Sequence, residues 1–537
     1  MATKKPSNAR NSQGLTVAQQ HIQKFERHKA SRMNWDTYWQ ELAEYFIPNK
    51  DDVYGFRMQG EQKHNKLYDS TSIQSLENLS ASLHGMMTNP SSVWFALSTG
   101  DTATDMDEDV AKHLETCTRI MIDTLNKSNF QEEIHEVYTD LGGIGTTVLD
   151  MEEDDEDDIR FRSRPIYSSY IAENHKGVVD TLFRCEAMTL RNIVGKFGEN
   201  AFEGLHDLQY RLEQDPEVKE DVVFGIEPDK DNKDKFLARW VLRKHEKILK
   251  ESTYHSWPFA VPRWTKINTE VYGRCPAMKC LPDVKMLNAI MRTTIRGMQK
   301  VVDPPLMVPD NGFLLPLNTT PGGTNFYRSG TKDRIEPFPT TARPDIGLDF
   351  VNNIRERVEQ AFYSDQLQLI QQRDMTATEV MQRTDERLRF LGPILGRLNN
   401  ELLRPIIDRT FDILTRRGKF PKPPQLLAGK PDLRIIYTSQ IAKAQRTGEA
   451  NTLNKVLQVS GPILQAQPDV MDNFNGDAII KYNAALFGLP TEFMNSKKSV
   501  EATRKGRAEA QAAAQQAAQE NLGADTQMKQ AKANGAA

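Results

Sequence analysis

Apolar residues return every three or four positions over much of the chain, the pattern of helices with one buried face. Trp35, Tyr38, Trp39, Leu42, Tyr45 and Phe46 share such a face, and Pro48 ends the run. Ile73, Leu76, Leu79, Leu83 and Met86 predict a helix over Thr71–Met87, broken by the NPSS stretch at 89–92. VWFAL at 93–97 reads as a short buried strand, and 107–140 reads as helix again. The glycine-rich DLGGIGTTVLDM at 140–151 leads into a strand. The acidic run DMEEDDEDD at 150–158 precedes period-two alternation at Ile159 and Phe161, which puts the acids at a hairpin tip. Strand-like pieces such as 236–248 make the region up to about residue 280 mixed α+β.

The second half reads differently. Val284, Leu287, Met291, Ile295 and Met298 predict a helix over 281–302, with Pro282 in its first turn, where proline is tolerated. One position round, Lys285, Asn288, Arg292, Arg296 and Gln299 form a polar stripe. Residues 303–345 are dense in proline and glycine, with strand-like pieces at 304–310 and 313–317. Val351, Ile354, Val358 and Phe362 mark a helix over 346–370. RDMTATEVMQRTDERLRFLGPILGRLNNELLRP, 373–405, then reads as one long helix loaded with arginine. Thr376 and Glu379 fit a capping box at its start, worth about 1 kcal/mol. Pro393, after Gly392, cannot donate to the Arg389 carbonyl, so a kink is expected there. Glu379/Arg383 and Asp385/Arg389 are spaced to pair along the helix. A proline-rich link at 421–431 precedes a strand, LRIIYTS, and further helix to about 495. The first 20 residues read as disordered. The 496–537 tail is too poor in large apolar residues to bury a core.

Composition narrows the function. A chain of 537 residues has room for roughly two to four domains. It has no apolar run near the roughly 18 residues of a membrane span, and its polar start lacks a signal-peptide core, so an intracellular folding environment is expected. Cys117, Cys185, Cys275 and Cys280 lack the repeated spacing of a zinc site and read as buried reduced thiols. A net charge of −4 argues against a dedicated high-affinity DNA binder, but not against a protein that DNA passes.

The sequence carries no recognisable motif for catalytic chemistry. GGIGTT at 142–147 has no lysine for a phosphate loop and reads as a tight turn into a strand; GxxxxGK[ST] is absent from the chain. The acidic run lacks the interleaving and turn glycine of an EF-hand and reads as a solvated loop. HExxH, GxSxG and CxxC are also absent. No catalytic residue, metal site or cofactor is nominated.

Three segments, in order, carry a resemblance. LENLSASLHGMMTNPSSVWFALS at 76–98, TEVYGRCPAMKCLPDVKMLN at 269–288, and MTATEV at 375–380 followed by LGPILGRLNNELL at 391–403 resemble signatures of podovirus head-to-tail connectors. These are the portal proteins of T7-like and related tailed phages. Any one segment alone is weak; the ordered set spans essentially the whole chain. Cys275 and Cys280 depart from the pattern, standing where small residues are expected.

The resemblance implies an α+β, mainly α, portal fold and a ring-shaped homo-oligomer, usually a dodecamer, at one capsid vertex of the virion, assembled in the host cytoplasm. Double-stranded DNA would pass its channel during packaging and ejection. Major capsid protein, scaffold, the terminase large subunit, and then tail adaptor and nozzle proteins would be its partners, with no membrane and no enzymatic activity. The parts it implies are a wing at 21–280, stem helices at 281–302 and 346–370, a clip at 303–345 and a channel loop at 371–375. A kinked channel helix at 376–418, a return to the wing at 419–445, a crown at 446–495 and the tail follow. Under that reading Gln371, Gln372, Arg373, Asp374, Lys285, Arg292 and Arg296 face DNA. Arg383, Asp385, Arg387, Arg389, Arg397 and Glu401 meet neighbouring subunits. Thr376, Glu379, Gly392 and Pro393 set the cap and bend of the channel helix. Two other readings stay open at this point: another virion component such as a scaffold or internal core protein, and a DNA-processing enzyme, against which the missing P-loop counts.

Overall fold

The protein is described here by a computed structural model. It describes residues 15–50, 67–101, 107–229, 235–307, 344–364 and 391–427, with single residues and short pieces elsewhere, among them 336–337, 434–437 and 499–514. The chain divides into two compact units, residues 1–92 with 121–419, and 93–120 with 420–537. Residues 93–120, expected within the 21–280 body, therefore group with the C-terminal part.

In the first unit, helix α1 (Val17–Ser31) starts inside the stretch expected to be disordered. Thr16 and Gln19 form a capping box there: the Gln19 amide donates to Thr16 Oγ1 at 3.3 Å and the Thr16 amide to Gln19 Oε1 at 3.0 Å. Helix α2 (Met33–Phe46) follows directly. Arg32 at the junction is buried. Its guanidinium donates to the carbonyls of Ile166 at 2.8 Å, Tyr167 at 2.6 Å and Ser169, pairs with Asp36, and lies 3.7 Å from the Tyr170 ring centroid. A buried charge is tolerable only when satisfied in this way. Helix α3 spans Thr71–Met87, as expected; Leu76, Leu79 and Leu83 of its apolar stripe are buried, whereas Ile73 and Met86 are half-buried and Met87 is buried in their place.

The 107–140 region is two helices, α4 (Glu108–Lys127) and α5 (Phe130–Gly143). Gly142 and Gly143, read as part of a turn, lie in α5: a Cβ on them would come 2.5 Å from Leu76 and 2.4 Å from Ile47. They let α5 sit close on α3. The turn itself falls at Gly145, whose φ of +95° favours glycine.

Strands β2 (Thr147–Asp154) and β3 (Asp158–Pro165) form the expected hairpin, closed by the Asp154↔Asp158 pair. The outer edge of β3 is covered by α5. Asn129 pairs with the Phe161 backbone through its amide at 2.8 and 2.9 Å, and Glu133 accepts from the Ser163 amide at 2.6 Å. Side chains here stand in for a missing strand. A separate five-stranded antiparallel sheet orders β4 (Ser169–Glu173), β5 (Val179–Thr189), β6 (Lys219–Pro228), β7 (Phe236–Leu242) and β8 (Lys247–Tyr254). Helix α1 lies on it through Phe25 and His21. Burial pushes the His21 imidazole down to about 3, so it packs as a neutral ring against Phe183. Gly225 leaves room for it, since a Cβ there would fall 2.5 Å from both rings. Helices α6 (Leu190–Phe197) and α7 (His206–Gln214) bridge β5 and β6, and β9 (Phe259–Ala260) adds to β2.

Helix α8 runs Pro276–Val302, five residues longer at its start than its apolar stripe suggests. Pro276 is the proline of the first turn. Pro282 lies inside the helix, where it cannot donate to the Met278 carbonyl. That carbonyl instead accepts from the Tyr38 hydroxyl at 3.3 Å. After α8, β10 (Leu306–Met307) pairs antiparallel with β11 (Glu336–Pro337), and α9 (Pro344–Ala361) returns along α8. Helix α9 stops short of the expected residue 370; Tyr363 turns the backbone at φ +59°. A last helix, α10, spans 391–416 and includes Arg404–Arg416.

In the second unit, β1 (Phe95–Ser98) pairs antiparallel with β12 (Arg434–Tyr437) from Phe95↔Tyr437 to Ser98↔Arg434. Residues 499–514 are helical and almost wholly exposed, in keeping with a tail that buries no core.

The Tyr38 contact is testable by a double-mutant cycle. Tyr38→Phe should lose about 1 kcal/mol of stability by leaving the Met278 carbonyl unpaired. In a Pro282→Ala background the new amide can take that carbonyl, and the cost of Tyr38→Phe should largely vanish in thermal melts. An equal cost in both backgrounds would remove the assigned role.

Candidate functional site

The feature that stands out is the helix pair α8–α9, an arm rooted in the body and capped by the β10–β11 ladder. Its root is built from the YGR–LPD–LN stretch. Gly273 crosses Gly145 so closely that a Cβ on either would come within 2.6 Å of the other's carbonyl oxygen. Tyr272 stacks edge-on to Trp39 at 5.1 Å and its hydroxyl accepts from the Ile171 amide at 3.4 Å. Arg274 pairs with Glu270 and lies 5.4 Å from the Trp35 ring centroid. Two residues after Arg274, α8 begins.

Asn288, expected on the exposed polar stripe, is buried. Its Oδ1 accepts from the amides of Tyr68 at 2.7 Å and Asp69 at 3.3 Å, and its Nδ2 donates to the Val284 carbonyl. Asp69 accepts from Thr71 and, with 2.7 and 3.0 Å contacts, from Arg355 of α9. Arg357 of α9 reaches Asp283 of α8 at 2.9 Å. The lower half of each helix is thus pinned by polar contacts around a buried apolar face. Above Asn288 the picture changes: Ile295 and Met298 are each 37% exposed and Val302 is 85% exposed.

Of the residues expected to face DNA, Lys285 is half-exposed and paired with Glu41. Arg292 is exposed, 6.0 Å from the Tyr68 ring centroid, and Arg296 is exposed. Gln371, Gln372, Arg373 and Asp374, the cap residues Thr376 and Glu379, and Arg383, Asp385, Arg387 and Arg389 lie outside the described residues.

Gly392 and Pro393 are helical, at the described start of α10. The irregularity that is described lies further on, a π-helical turn over Asn399–Leu403 in which the Arg404 amide donates to the Asn399 carbonyl. It ends two residues before Pro405, whose ring and missing donor disfavour a regular turn there. The turn aims Glu401 inward. Instead of standing only at an outer face, Glu401 binds Arg263 of its own chain, through Nη2 at 2.7 Å, Nε at 3.0 Å and the backbone amide at 3.0 Å. Arg263 is 2% exposed, and it also binds Glu173, the Gly177 carbonyl at 3.1 Å and the Val271 carbonyl at 3.2 Å. Arg397 adds a longer contact to Glu401 at 3.7 Å.

The acidic hairpin is not simply solvated. Asp150 is buried against Arg184 at 2.6 Å and Arg164 at 3.1 Å. Glu153 pairs with Arg416 at 2.7 Å and Arg409 at 3.6 Å, and Asp158 with Arg417 at 2.9 Å and Lys419 at 3.6 Å. The four cysteines are free thiols, and burial pushes Cys275 and Cys280 up to about 12, far from a reactive thiolate. Among the described residues no helix is long and apolar enough to cross a membrane.

Mainly helical, α+β, with a rooted two-helix arm: this is the class the geometry defines. The description "Bacteriophage head to tail connecting protein" matches residues 18–494, and the chain belongs to that family. It is 29% identical over 529 residues to the "Probable portal protein" of Bordetella phage BPP-1, covering 93% of each chain. It is also 29% identical over 507 residues to the "Portal protein" of Salmonella phage epsilon15, covering 91% of this chain and 90% of that one.

Burial alone would raise the Asp69 carboxyl, but the Thr71 and Arg355 hydrogen bonds outweigh it and hold the group below the usual carboxylate range. Its stabilisation is therefore complete above the unfolded value of about 3.9 and disappears as pH falls through the lower folded value. Wild type should lose stability on acidification below about pH 4 that Asp69→Asn has already lost. Melting curves of the two chains that fall in parallel through that range would contradict the assignment.

Proposed function

We propose that this chain is a phage portal protein: copies form a ring at one capsid vertex, and the genome passes its central channel during packaging and ejection. The observation that carries this is the family match over 18–494, joined by two relatives, each named a portal protein, aligned over at least nine-tenths of each chain. The α8–β10–β11–α9 arm supports it. In a ring, α8 and α9 are the stem, the 303–345 insert between them is the clip, and residues 371–375 are the channel loop. Residues 376–418 make the channel helix, the αβ body is the wing, 419–445 lead back toward it and 446–495 form the crown. The clip side offers the terminase and then the tail adaptor and nozzle a docking surface, while the rest meets capsid protein and scaffold.

A conduit must not hold DNA tightly. Every phosphate neutralised adds salt-dependent affinity that would stall movement. A chain of net charge −4, with many of its described cations held in internal ion pairs, suits sliding. Lys285, paired with Glu41, offers a weakened charge; Arg373, within the expected loop, is the cation proposed to meet phosphate.

Negative-stain microscopy of the purified chain should show rings with a central hole; monomers under all conditions would overturn the portal reading. The pure protein should show no ATP turnover. Arg373→Glu should form normal rings yet lower the DNA packaged per prohead. Unchanged packaging would remove Arg373 from the channel wall.

A further inference from the structure

The charges of the arm are sorted by helix. Beyond Asp283, α8 carries no carboxylate; its charges are Lys285, Arg292, Arg296 and Lys300. Lys285 is held by Glu41, whereas Arg292, Arg296 and Lys300, spaced by four, are exposed and run along the upper half of the helix. Helix α9 shows the reverse. Its two arginines turn back on their own chain, Arg355 to Asp69 and Arg357 to Asp283. Asp349, Glu356 and Glu359 stay exposed along one ridge, on the side away from buried Val351, Ile354 and Val358. Among the described residues no ion pair joins the two rows.

We infer that a second copy of this chain is the partner of both rows: the α9 carboxylates of one subunit dock on the α8 cations of the next. This rests on the portal reading and names the contact that closes its ring. A row of cations on one helix and a row of carboxylates on the other can meet head to tail, a heterologous contact of the kind that repeats around a ring. Apolar surface left open on the same arm, Val302 at 85% and Phe350 at 49% exposed, gives the neighbour something to cover. Arg292 and Arg296, expected to face DNA, are thereby assigned to the subunit boundary.

A charge swap tests it on the full-length chain. One variant carries Arg292→Glu, Arg296→Glu and Lys300→Glu; another carries Asp349→Lys, Glu356→Lys and Glu359→Lys; a third carries all six. All six positions are exposed, and unchanged melting of the monomer checks that folding is intact. Each triple variant should need about tenfold more protein, or higher still, to form half its rings, because three attractions become repulsions. The six-fold variant should assemble nearly as well as wild type, and salt should weaken wild-type rings. Triple variants that assemble normally, whether or not packaging falls, would overturn the proposal, as would a six-fold variant no better than the triples. Failure of the wild type to form rings would instead strike the portal reading itself.

Discussion

A single buried guanidinium organises the centre of the first unit. Arg263 gathers Glu401 from the π turn of α10, Glu173 from the end of β4, and carbonyls at Gly177 and Val271. Taking such a charge out of water is expensive, and only a full set of partners offsets it. The set is also demanding in space. Arg263 lies beside the Gly145–Gly273 crossing, where a Cβ on Gly273 would come 2.9 Å from its own Cβ. The path of the chain into α8 is therefore fixed a few residues before that helix begins, and α10 is locked to the same point. Removing one carboxylate would leave the other to hold a buried charge alone, which explains why an irregular turn is tolerated where Glu401 must reach inward.

From that fixed root the arm extends as a lever. At about 1.5 Å per residue, the 27-residue α8 is about 40 Å long. Its lower half is buried and pinned by Asn288 and by the Asp69–Arg355 and Asp283–Arg357 pairs; its upper half meets solvent. The stability of the arm thus comes from its base, while the chemistry left on its upper half is free for contacts beyond the chain. That division has a physical basis: two helices alone bury too little to hold one geometry, so order at the tip must be borrowed from the root or from a neighbour.

Much of this was legible in the sequence, and what was not shares a cause. Period-3.6 stripes located α2, α3, α8 and α9, because burial of one face acts locally along the chain. The acidic run does reach a hairpin turn, at 155–157, but its first half belongs to β2, where Asp150 is buried. The start of α1 carries its own local signal: Thr16 and Gln19 have the same capping pattern that the sequence shows at Thr376 and Glu379. Pro282 looked like a first-turn residue because nothing nearby announces that Tyr38, 244 positions earlier, takes the orphaned carbonyl. Asn288 looked exposed because its polar partners, Tyr68 and Asp69, are equally remote. Buried ion pairs between distant segments leave no periodicity, so Arg263 and Arg32 gave no sign of their importance. The family resemblance was legible from three ordered segments, while most of the residues expected to line a channel lie outside the described structure.

The arginines of 391–419 show how misleading a linear charge count can be. Read along the chain, they suggest a basic tract suited to phosphate. In space, Arg397 leans on Glu401, Arg404 on Asp408, Arg409 and Arg416 on Glu153, and Arg417 on Asp158. The acidic hairpin is the counterpart that makes this possible: two segments more than 230 residues apart, each strongly charged, largely cancel where they meet. A phosphate approaching this part of α10 would have to displace carboxylates already in place, and the counterion release that drives DNA binding would be correspondingly small. Strong local charge with little free charge is what a protein needs if it is to stay rigid beside a polyanion without holding on to it.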